Sequence, residues 1–369
     1  MKIIQFVPTL ESGGVEKGVL EIANALVRNN HDSHVVSAGG RLVQNLTENG
    51  STHHHWNLHI KSLLTFRLVL PLRKWIISMN ADILHIRSRM PAWIVWMAWQ
   101  GIPKKNRPKL ISTVHGLHSV NFYSAIMTKP NNIIAVSNAS KQYIYNNYTK
   151  DSKKNIQVIY RGVDNSEYFM NFKASKEWIS KWHKDFPETK GCKLLTIAGR
   201  ISPLKDFEKI LQLGSNIKKQ TSRPFKILIA GEAKDRHKKY LKKLKLKIIE
   251  LEISNEVIFL NYRNDIKEIY SISSLVFNTS NKPESFGRSI LEPLSIGVPS
   301  IGYNRGGVKE ILNELYPYGA IEFNDDKELL NKTLNILNGN NLNINTNKKF
   351  LTSEMCNQTL DFYKNTLSC

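Results

Sequence analysis

The chain has 369 residues, of which 41% are hydrophobic and 22% charged, and its formal net charge is +21. This length predicts two domains of about 150–200 residues each, and the apolar content argues against disorder. So large a basic excess indicates an anionic partner, for which nucleic acid, an anionic membrane surface and a phosphorylated substrate all qualify.

The first part of the chain alternates short apolar runs with helical patterns. Lys2–Pro8 predicts a first strand rather than a signal peptide, because Glu11 follows at once. After Gly13-Gly14, apolar residues recur at helical spacing. Further strands are predicted at His34–Ala38, Ile83–Ile86, Leu110–Val114, Ile133–Val136 and Ile156–Tyr160. Strands alternating with helices predict a parallel sheet covered on both faces.

The segment from Lys61 to Lys109 carries ten basic residues, a single acid and four tryptophans. Basic and aromatic residues together are typical of a membrane interface, where indoles lie among headgroups and cations meet phosphates. A solvated basic rim with tryptophans in the core explains the same pattern. The longest apolar stretch, around Ala92–Trp99, is too short to span a bilayer. We therefore expect a protein that lies on a membrane without crossing it.

Cysteines and histidines give no metal or redox motif. Cys192, Cys356 and Cys369 have no CxxC spacing, which fits a reduced cytosol. The run His53-His54-His55 is expected to be a polar loop rather than a metal site. No Asp-x-Asp occurs to hold a metal-bound diphosphate, so no metal cofactor is expected.

The α/β pattern restarts in the second half. Residues 169–190 are polar and mixed and are expected to connect two domains, 1–168 and 191–350, with a last helix in 351–369. Strands are predicted at Lys193–Ala198, Phe225–Ala230, Val257–Leu260, Leu275–Asn278 and Pro299–Gly302. The expected fold is therefore two Rossmann-like parallel-sheet domains facing a cleft. Ligands of such sheets bind beyond the carboxyl ends of the strands.

Two motifs at predicted strand ends suggest chemistry. Glu284 and Glu292 are eight residues apart and flank Phe286-Gly287, where a helix is predicted to begin. A carboxylate there can bond sugar hydroxyls, and the amides of the first helical turn can meet a phosphate. Pro293 is expected to kink this helix. In the second motif, Arg200 and Lys205 follow a strand, and two cations in that position suit a pyrophosphate.

Taken in order, these motifs resemble glycosyltransferase family 4, whose members have the GT-B fold, over nearly the whole chain. The resemblance implies a nucleotide-sugar substrate and a role for His115, in His115-Gly116, near the reacting centre. The catalytic residues that the resemblance implies are His115, Arg200, Lys205 and Glu284. The donor-binding residues that it implies are Gly13, Gly14, Arg200, Lys205, Arg263, Glu284, Phe286, Gly287, Arg288, Ser289 and Glu292.

The resemblance also implies hexose transfer with retention of configuration, with the acceptor bound by the N-terminal domain. The segment His85–Pro91 resembles that of bacterial enzymes that build lipopolysaccharide. The expected acceptor is therefore an anionic glycolipid or lipopolysaccharide. The expected location is the inner face of the cytoplasmic membrane, with peripheral attachment.

Three other functions would explain part of the same sequence pattern. A nucleic-acid-binding protein would explain the charge, but no recognised reading module is present. A nicotinamide dehydrogenase would share the fold class, but Gly13-Gly14-Val15-Glu16-Lys17-Gly18 is not GxGxxG. A GT-B nucleotide-sugar epimerase is closer, and would release a modified sugar without any acceptor.

Overall fold

A computed structural model describes residues 1–11, 13–148 and 154–368, and these form two compact units. Unit 1 contains Met1–Arg161 and the chain from Thr352 onward, and unit 2 is Gly162–Leu351. The boundary lies before residue 168 because Val163 pairs with Leu351 and donates its backbone N–H to the Phe350 carbonyl at 3.0 Å. The expected connection 169–190 thus belongs to unit 2, and the last helix belongs to unit 1.

Both units contain a parallel sheet. The strands are β1 Lys2–Phe6, β2 Asp32–Ser37, β3 Thr52–His55, β4 Ile83–Ile86, β5 Lys109–Val114, β6 Asn132–Ala135, β7 Asn155–Val158, β8 Lys193–Ala198, β9 Phe225–Ala230, β10 Val257–Asn261, β11 Leu275–Asn278, β12 Ser300–Tyr303 and β13 Ala320–Ile321. Their orders are β3-β2-β1-β4-β5-β6-β7 in unit 1 and β10-β9-β8-β11-β12-β13 in unit 2. The predicted α/β class with two parallel-sheet domains is confirmed.

Helices follow most of the strands. They are α1 Gly14–Arg28, α2 Val43–Glu48, α3 Val69–Met79, α4 Arg89–Gln100, α5 Phe122–Ala125, α6 Asn138–Asn147, α7 Lys176–Asp185, α8 Phe207–Gln220, α9 Lys238–Glu250, α10 Ile266–Ile272, α11 Arg288–Ser295, α12 Gly306–Leu315, α13 Asp326–Leu337 and α14 Thr352–Ser368.

The strands β3 and β13 were not predicted, and both lie at sheet edges. The expectation of a loop at His53-His54-His55 is wrong, because these residues form β3 and pair with β2. A strand at an edge can be short and polar, since one side of it faces solvent, and it therefore lacks the apolar run that marks a central strand.

The core of unit 1 follows the two faces of its sheet. Ile4 packs with residues of α3 and α4, while its neighbour Ile3 packs with residues of α1 and α14. Successive strand residues point to opposite faces, so a sheet covered on both sides needs continuous apolar strands. The last helix is thus part of the unit 1 core, and its Phe362 and Tyr363 are fully buried there.

The tryptophans of the basic segment are partly buried against the same core. The indole N–H of Trp93 donates to the Tyr123 carbonyl, and that of Trp99 to the Pro108 carbonyl. Other apolar side chains are exposed, and the most exposed are Leu63 (87%), in the same basic segment, and Phe122 (76%), outside it. Within the described parts of the chain, no helix has both the length and the apolar content needed to cross a membrane.

Candidate functional site

In unit 2, the two sequence motifs meet where the strand order reverses. β8 lies between β9 and β11, so the connections that leave β8 and β11 run to opposite sides of the sheet. The segment with Arg200 and Lys205 follows β8, and the segment with Glu284 follows β11. Such a switch point leaves a crevice at the carboxyl ends of the strands, which is where open α/β sheets bind ligands.

Lys205 and Glu284 form an ion pair at this switch point. The Lys205 Nζ lies 2.5 Å from Glu284 Oε1, and the two side chains are 21% and 23% exposed. Ser280 Oγ donates to the same oxygen at 2.5 Å, and Asn278 Nδ2 donates at 3.1 Å. Within the described residues, the hydrogen bonds to this carboxylate converge on Oε1. Oε2 receives none of these three bonds.

The environment of Glu284 keeps its carboxylate ionised. Burial alone would raise its pKa, but the Lys205 charge and the hydrogen bonds from Lys205, Ser280 and Asn278 hold the pKa below its ordinary value. The site thus presents a fixed negative oxygen next to a fixed cation.

Local backbone geometry places Lys205. A 3-10 turn, Pro203–Lys205, follows the strand, and Asp206 then takes a left-handed conformation (φ 49°) that aspartate tolerates better than most residues. Gly199 leaves room for the lysine stem, because a Cβ there would lie 3.2 Å from Lys205 Cε. Arg200 itself is exposed.

The helix α11 begins beside this ion pair. Gly287 precedes it with φ 124°, and a Cβ at Gly287 would lie 2.8 Å from Val308 Cγ2, so the position needs glycine. Before it, Phe286 is buried and packs edge-on to Phe350. The helix is continuous through Pro293. Pro293 removes one backbone hydrogen bond, but it does so near the end of the helix. The expected kink therefore does not break the helix.

Glu292 lies one turn after Arg288 on α11. Arg288 Nε donates to Glu292 Oε1 at 3.1 Å, and both side chains are well buried. Ser289 is connected to the ion pair, because Asn278 Nδ2 donates both to its Oγ at 2.9 Å and to Glu284. The structure thus links Lys205, Glu284 and Ser289 in one hydrogen-bond network.

Sequence reasoning missed three residues of this network: Asn278, Ser280 and Arg305. Arg305 donates to the Ser280 carbonyl at 2.7 Å and stacks 3.5 Å from the centroid of the Phe323 ring. The signal that could have identified Asn278 and Ser280 is their position, since Asn278 ends the otherwise apolar strand β11 and Ser280 follows two residues later.

Arg263 lies further along the sheet, just after the edge strand β10. Its guanidinium forms a two-pronged pair with Asp265, at 2.8 Å through Nε and 2.5 Å through Nη2. Trp178 Nε1 also donates to Asp265, at 2.9 Å. The guanidinium is therefore fixed in place, and its expected role in donor binding stays a prediction.

Unit 1 has its own switch point, between β1 and β4. Gly13 precedes α1 with φ 143°, and Gly14 is the first residue of that helix. Arg87 follows β4, and His115 follows β5. The expected roles of Gly13 and Gly14 in donor binding, and of His115 near the reacting centre, stay predictions.

Two arginines surround the His115 ring. Arg87 Nε lies 3.4 Å from His115 Nε2, and Arg161 Nη2 lies 2.7 Å from His115 Nδ1. Burial lowers the pKa of His115 well below its ordinary range, and the charges of Arg161 and Arg87 lower it further. The imidazole is therefore neutral at neutral pH.

In the part of the chain that the structure describes, no group of three or more His, Cys, Asp or Glu side chains is arranged to hold a metal ion. Cys192 and Cys356 are free thiols. Cys369 lies outside the described residues.

Comparison with known proteins points to the same enzyme class in both units. Residues 12–167 match the family model described as Glycosyltransferase Family 4, and residues 179–350 match the one described as Glycosyl transferases group 1. N-acetyl-alpha-D-glucosaminyl L-malate synthase from Bacillus anthracis is 24% identical over 279 residues, which is 73% of this chain and 69% of that protein.

Two solved structures share the fold over nearly their whole length. A glycosyltransferase from Rickettsia africae is 27% identical with a TM-score of 0.84, over 99% of this chain and 98% of that chain. HepE from Anabaena, in complex with UDP and glucose, is 21% identical with a TM-score of 0.83, over 99% and 100% of the two chains.

Proposed function

Because this chain belongs to glycosyltransferase family 4, we propose that it transfers a hexose from a nucleotide diphosphate sugar to an anionic acceptor, with retention of configuration. The candidate acceptors are lipopolysaccharide and a lipid-linked glycan. The observation that carries the proposal is the Lys205–Glu284 pair beside the start of α11, at the switch point of unit 2.

The donor would use both members of this pair. Glu284 Oε2 would accept a hydrogen bond from a sugar hydroxyl, while Lys205 and Arg200 would contact the diphosphate. Backbone N–H groups in the first turn of α11 would bind the same phosphates, because a helix N-terminus carries a partial positive charge. The structure of HepE with UDP and glucose supports a nucleotide-sugar donor for this fold.

The difficult step is departure of the nucleoside diphosphate from C1 of the sugar. Negative charge grows on the leaving oxygen as that bond breaks. Cations fixed in advance at this oxygen stabilise the transition state more than the ground state, which is the condition for acceleration. In this proposal Arg200, Lys205 and the start of α11 supply that stabilisation.

An anionic acceptor at a membrane is supported by the surface of unit 1. Exposed Leu63, Leu64 and Leu70 lie in the same segment as Lys61 and Arg67, a combination typical of interfacial binding. The name of the Bacillus anthracis relative includes L-malate, a dicarboxylate, which supports an anionic acceptor more generally. We therefore propose that the protein acts at the inner face of the cytoplasmic membrane.

The decisive experiment is a panel of UDP- and GDP-linked hexoses, starting with UDP-glucose. Each is scored for thermal stabilisation of the protein and for nucleotide release with and without membrane extract. We expect one donor to stabilise the protein and to turn over faster with extract. NMR of the product should show the same anomeric configuration as in the donor. Failure of every donor to bind would refute the proposal, and release of a modified sugar without extract would indicate an epimerase.

Membrane attachment has its own test. Flotation with vesicles that contain anionic lipid should bring the protein to the lipid layer, and binding should weaken as salt rises. The Leu63→Ser/Leu64→Ser variant should float less, because it removes apolar side chains from the interface. Equal flotation of this variant and the wild type would remove the segment from that role.

A further inference from the structure

The lysine-rich helix α9 of unit 2 has two different faces. Leu244 and Ile248, one turn apart, are buried within the unit. Leu246 and Ile249 lie on the opposite side of the helix and are 60% and 66% exposed. Because residues three apart in an α-helix are neighbours on one face, these two side chains form a single exposed apolar pair. A helix face that only meets water would carry polar residues at both positions.

Three lysines surround this apolar pair. Lys242 lies one turn before Leu246, Lys245 lies one turn before Ile249, and Lys239 lies three residues before Lys242, so all five residues share the outer face. The three lysine residues are exposed. Within the described residues, no carboxylate lies at ion-pair distance from any of these three ammonium groups.

The other lysines of α9 differ in this respect. Each has an acidic partner, and the pairs are Lys238 with Asp235 at 2.8 Å, Lys243 with Glu208 at 2.9 Å and Lys247 with Glu250 at 3.7 Å. The positive charge that has no acidic partner on this helix is therefore concentrated around the exposed apolar pair.

The combination of unpaired lysines and exposed aliphatic side chains distinguishes between anionic partners. Contacts to nucleic-acid phosphates come from cations and polar groups, which would leave the apolar pair in water. The buried centre of a protein interface is depleted in lysine. A bilayer with anionic lipid suits both kinds of side chain, because its phosphates attract the ammonium groups and its acyl boundary takes up leucine and isoleucine.

We propose that the outer face of α9, which consists of Lys239, Lys242, Lys245, Leu246 and Ile249, is a binding surface for an anionic lipid bilayer. The helix would lie in the plane of the interface, with the apolar pair below the headgroups and the ammonium groups at their level. This inference extends the membrane location proposed above from unit 1 to unit 2. It rests on α9 alone and needs neither sugar donor nor acceptor.

The test is flotation of the full-length protein with vesicles. Vesicles of phosphatidylcholine are compared with vesicles of equal parts phosphatidylcholine and phosphatidylglycerol, at low and high salt. We expect binding only to the anionic vesicles, with weaker binding as salt rises. The α9 variants are made both in the wild type and in the Leu63→Ser/Leu64→Ser background, which removes the apolar side chains of the unit 1 segment.

The first α9 variant is Leu246→Ser/Ile249→Ser. It should weaken binding to anionic vesicles at least tenfold in either background, because two side chains no longer leave water for the acyl boundary. Leu342→Ser changes another exposed leucine of unit 2 and should bind like its parent. All of these side chains are exposed, so the melting temperature should not change.

The second α9 variant is Lys239→Gln/Lys242→Gln/Lys245→Gln. It should weaken binding about 100-fold, since each lysine near an anionic surface contributes about fivefold. The control removes the same charge from three exposed lysines of unit 2 outside α9, in Lys181→Gln/Lys190→Gln/Lys327→Gln.

Three outcomes are distinguishable. If both α9 variants bind vesicles like their controls in both backgrounds, the proposal is overturned. It is also overturned if only the lysine variant loses binding and the protein binds polyuridylate as tightly as vesicles, because the face would then bind nucleic acid. Failure of the transferase proposal is separate, since it would appear as absent binding of every nucleotide sugar while vesicle binding persists.

Discussion

The two switch points of the molecule hold their cations in different ways. In unit 2, Lys205 is paired with Glu284, and the carboxylate is fixed by two further donors. In unit 1, the hydrogen bonds of Arg87 within its own unit go to a neutral amide and a neutral ring. The same sheet topology therefore supports an ion pair in one unit and a guanidinium held by neutral hydrogen-bond partners in the other.

This difference affects what each arrangement can do chemically. A cation with its own carboxylate is positioned at little electrostatic cost and can still stabilise charge that appears only during reaction. The guanidinium of Arg87 instead hydrogen-bonds to neutral groups, and the Glu21 carboxylate acts on it electrostatically. The first arrangement suits stabilisation of a leaving group.

The largest effect is expected from breaking the pair in unit 2. Lys205→Met should lower donor turnover by about 10²–10³, because it removes a fixed cation from the leaving group and strands Glu284. Lys218→Met is the matched control, since Lys218 also contacts a glutamate, Glu256, at 3.1 Å but at the far end of α8. Initial rates with the donor found in the panel provide the measurement. Wild-type rates for Lys205→Met would remove it from catalysis.

A smaller effect is expected on donor affinity from the second carboxylate of the motif. If Glu292 binds the donor ribose, Glu292→Gln should raise the donor KM by about 10- to 100-fold, the range for losing hydrogen bonds to a charged group. Glu314→Gln, which alters a surface pair with Lys349, is the control. Donor KM and kcat are measured together. An unchanged KM would contradict the ribose role.

Most of the fold could be predicted from the sequence, because central strands buried on both faces are continuous apolar runs. The edge strands β3 and β13 could not, since they lack such runs. The donor motifs could be placed at strand ends, but the hydrogen-bond network that joins Glu284 to Ser289 through Asn278 could not, because it depends on side-chain contacts across the β11 turn. Arg161 and Gly18 lie 143 residues apart in sequence, and only folding brings them together.

The two sites should also differ in how their contributions to the stability of the fold depend on pH. Burial holds the pKa values of His85 and His115 well below 6.5, so below that pH the unfolded chain binds protons that the folded chain does not. Stability should therefore fall as pH drops below 6.5, by up to about 1.4 kcal/mol per pH unit for each histidine. The pKa of Glu284 is instead lowered, so its contribution is present above its unfolded value and is lost only at more acidic pH.

Thermal unfolding between pH 7 and 5 provides the measurement. His115→Phe should reduce the loss of stability over this range, because it removes one of the histidines whose pKa is held low in the folded state. The exposed His55→Gln variant is the control and should follow the wild type. A wild-type slope for His115→Phe would show that the imidazole is not kept neutral by its surroundings.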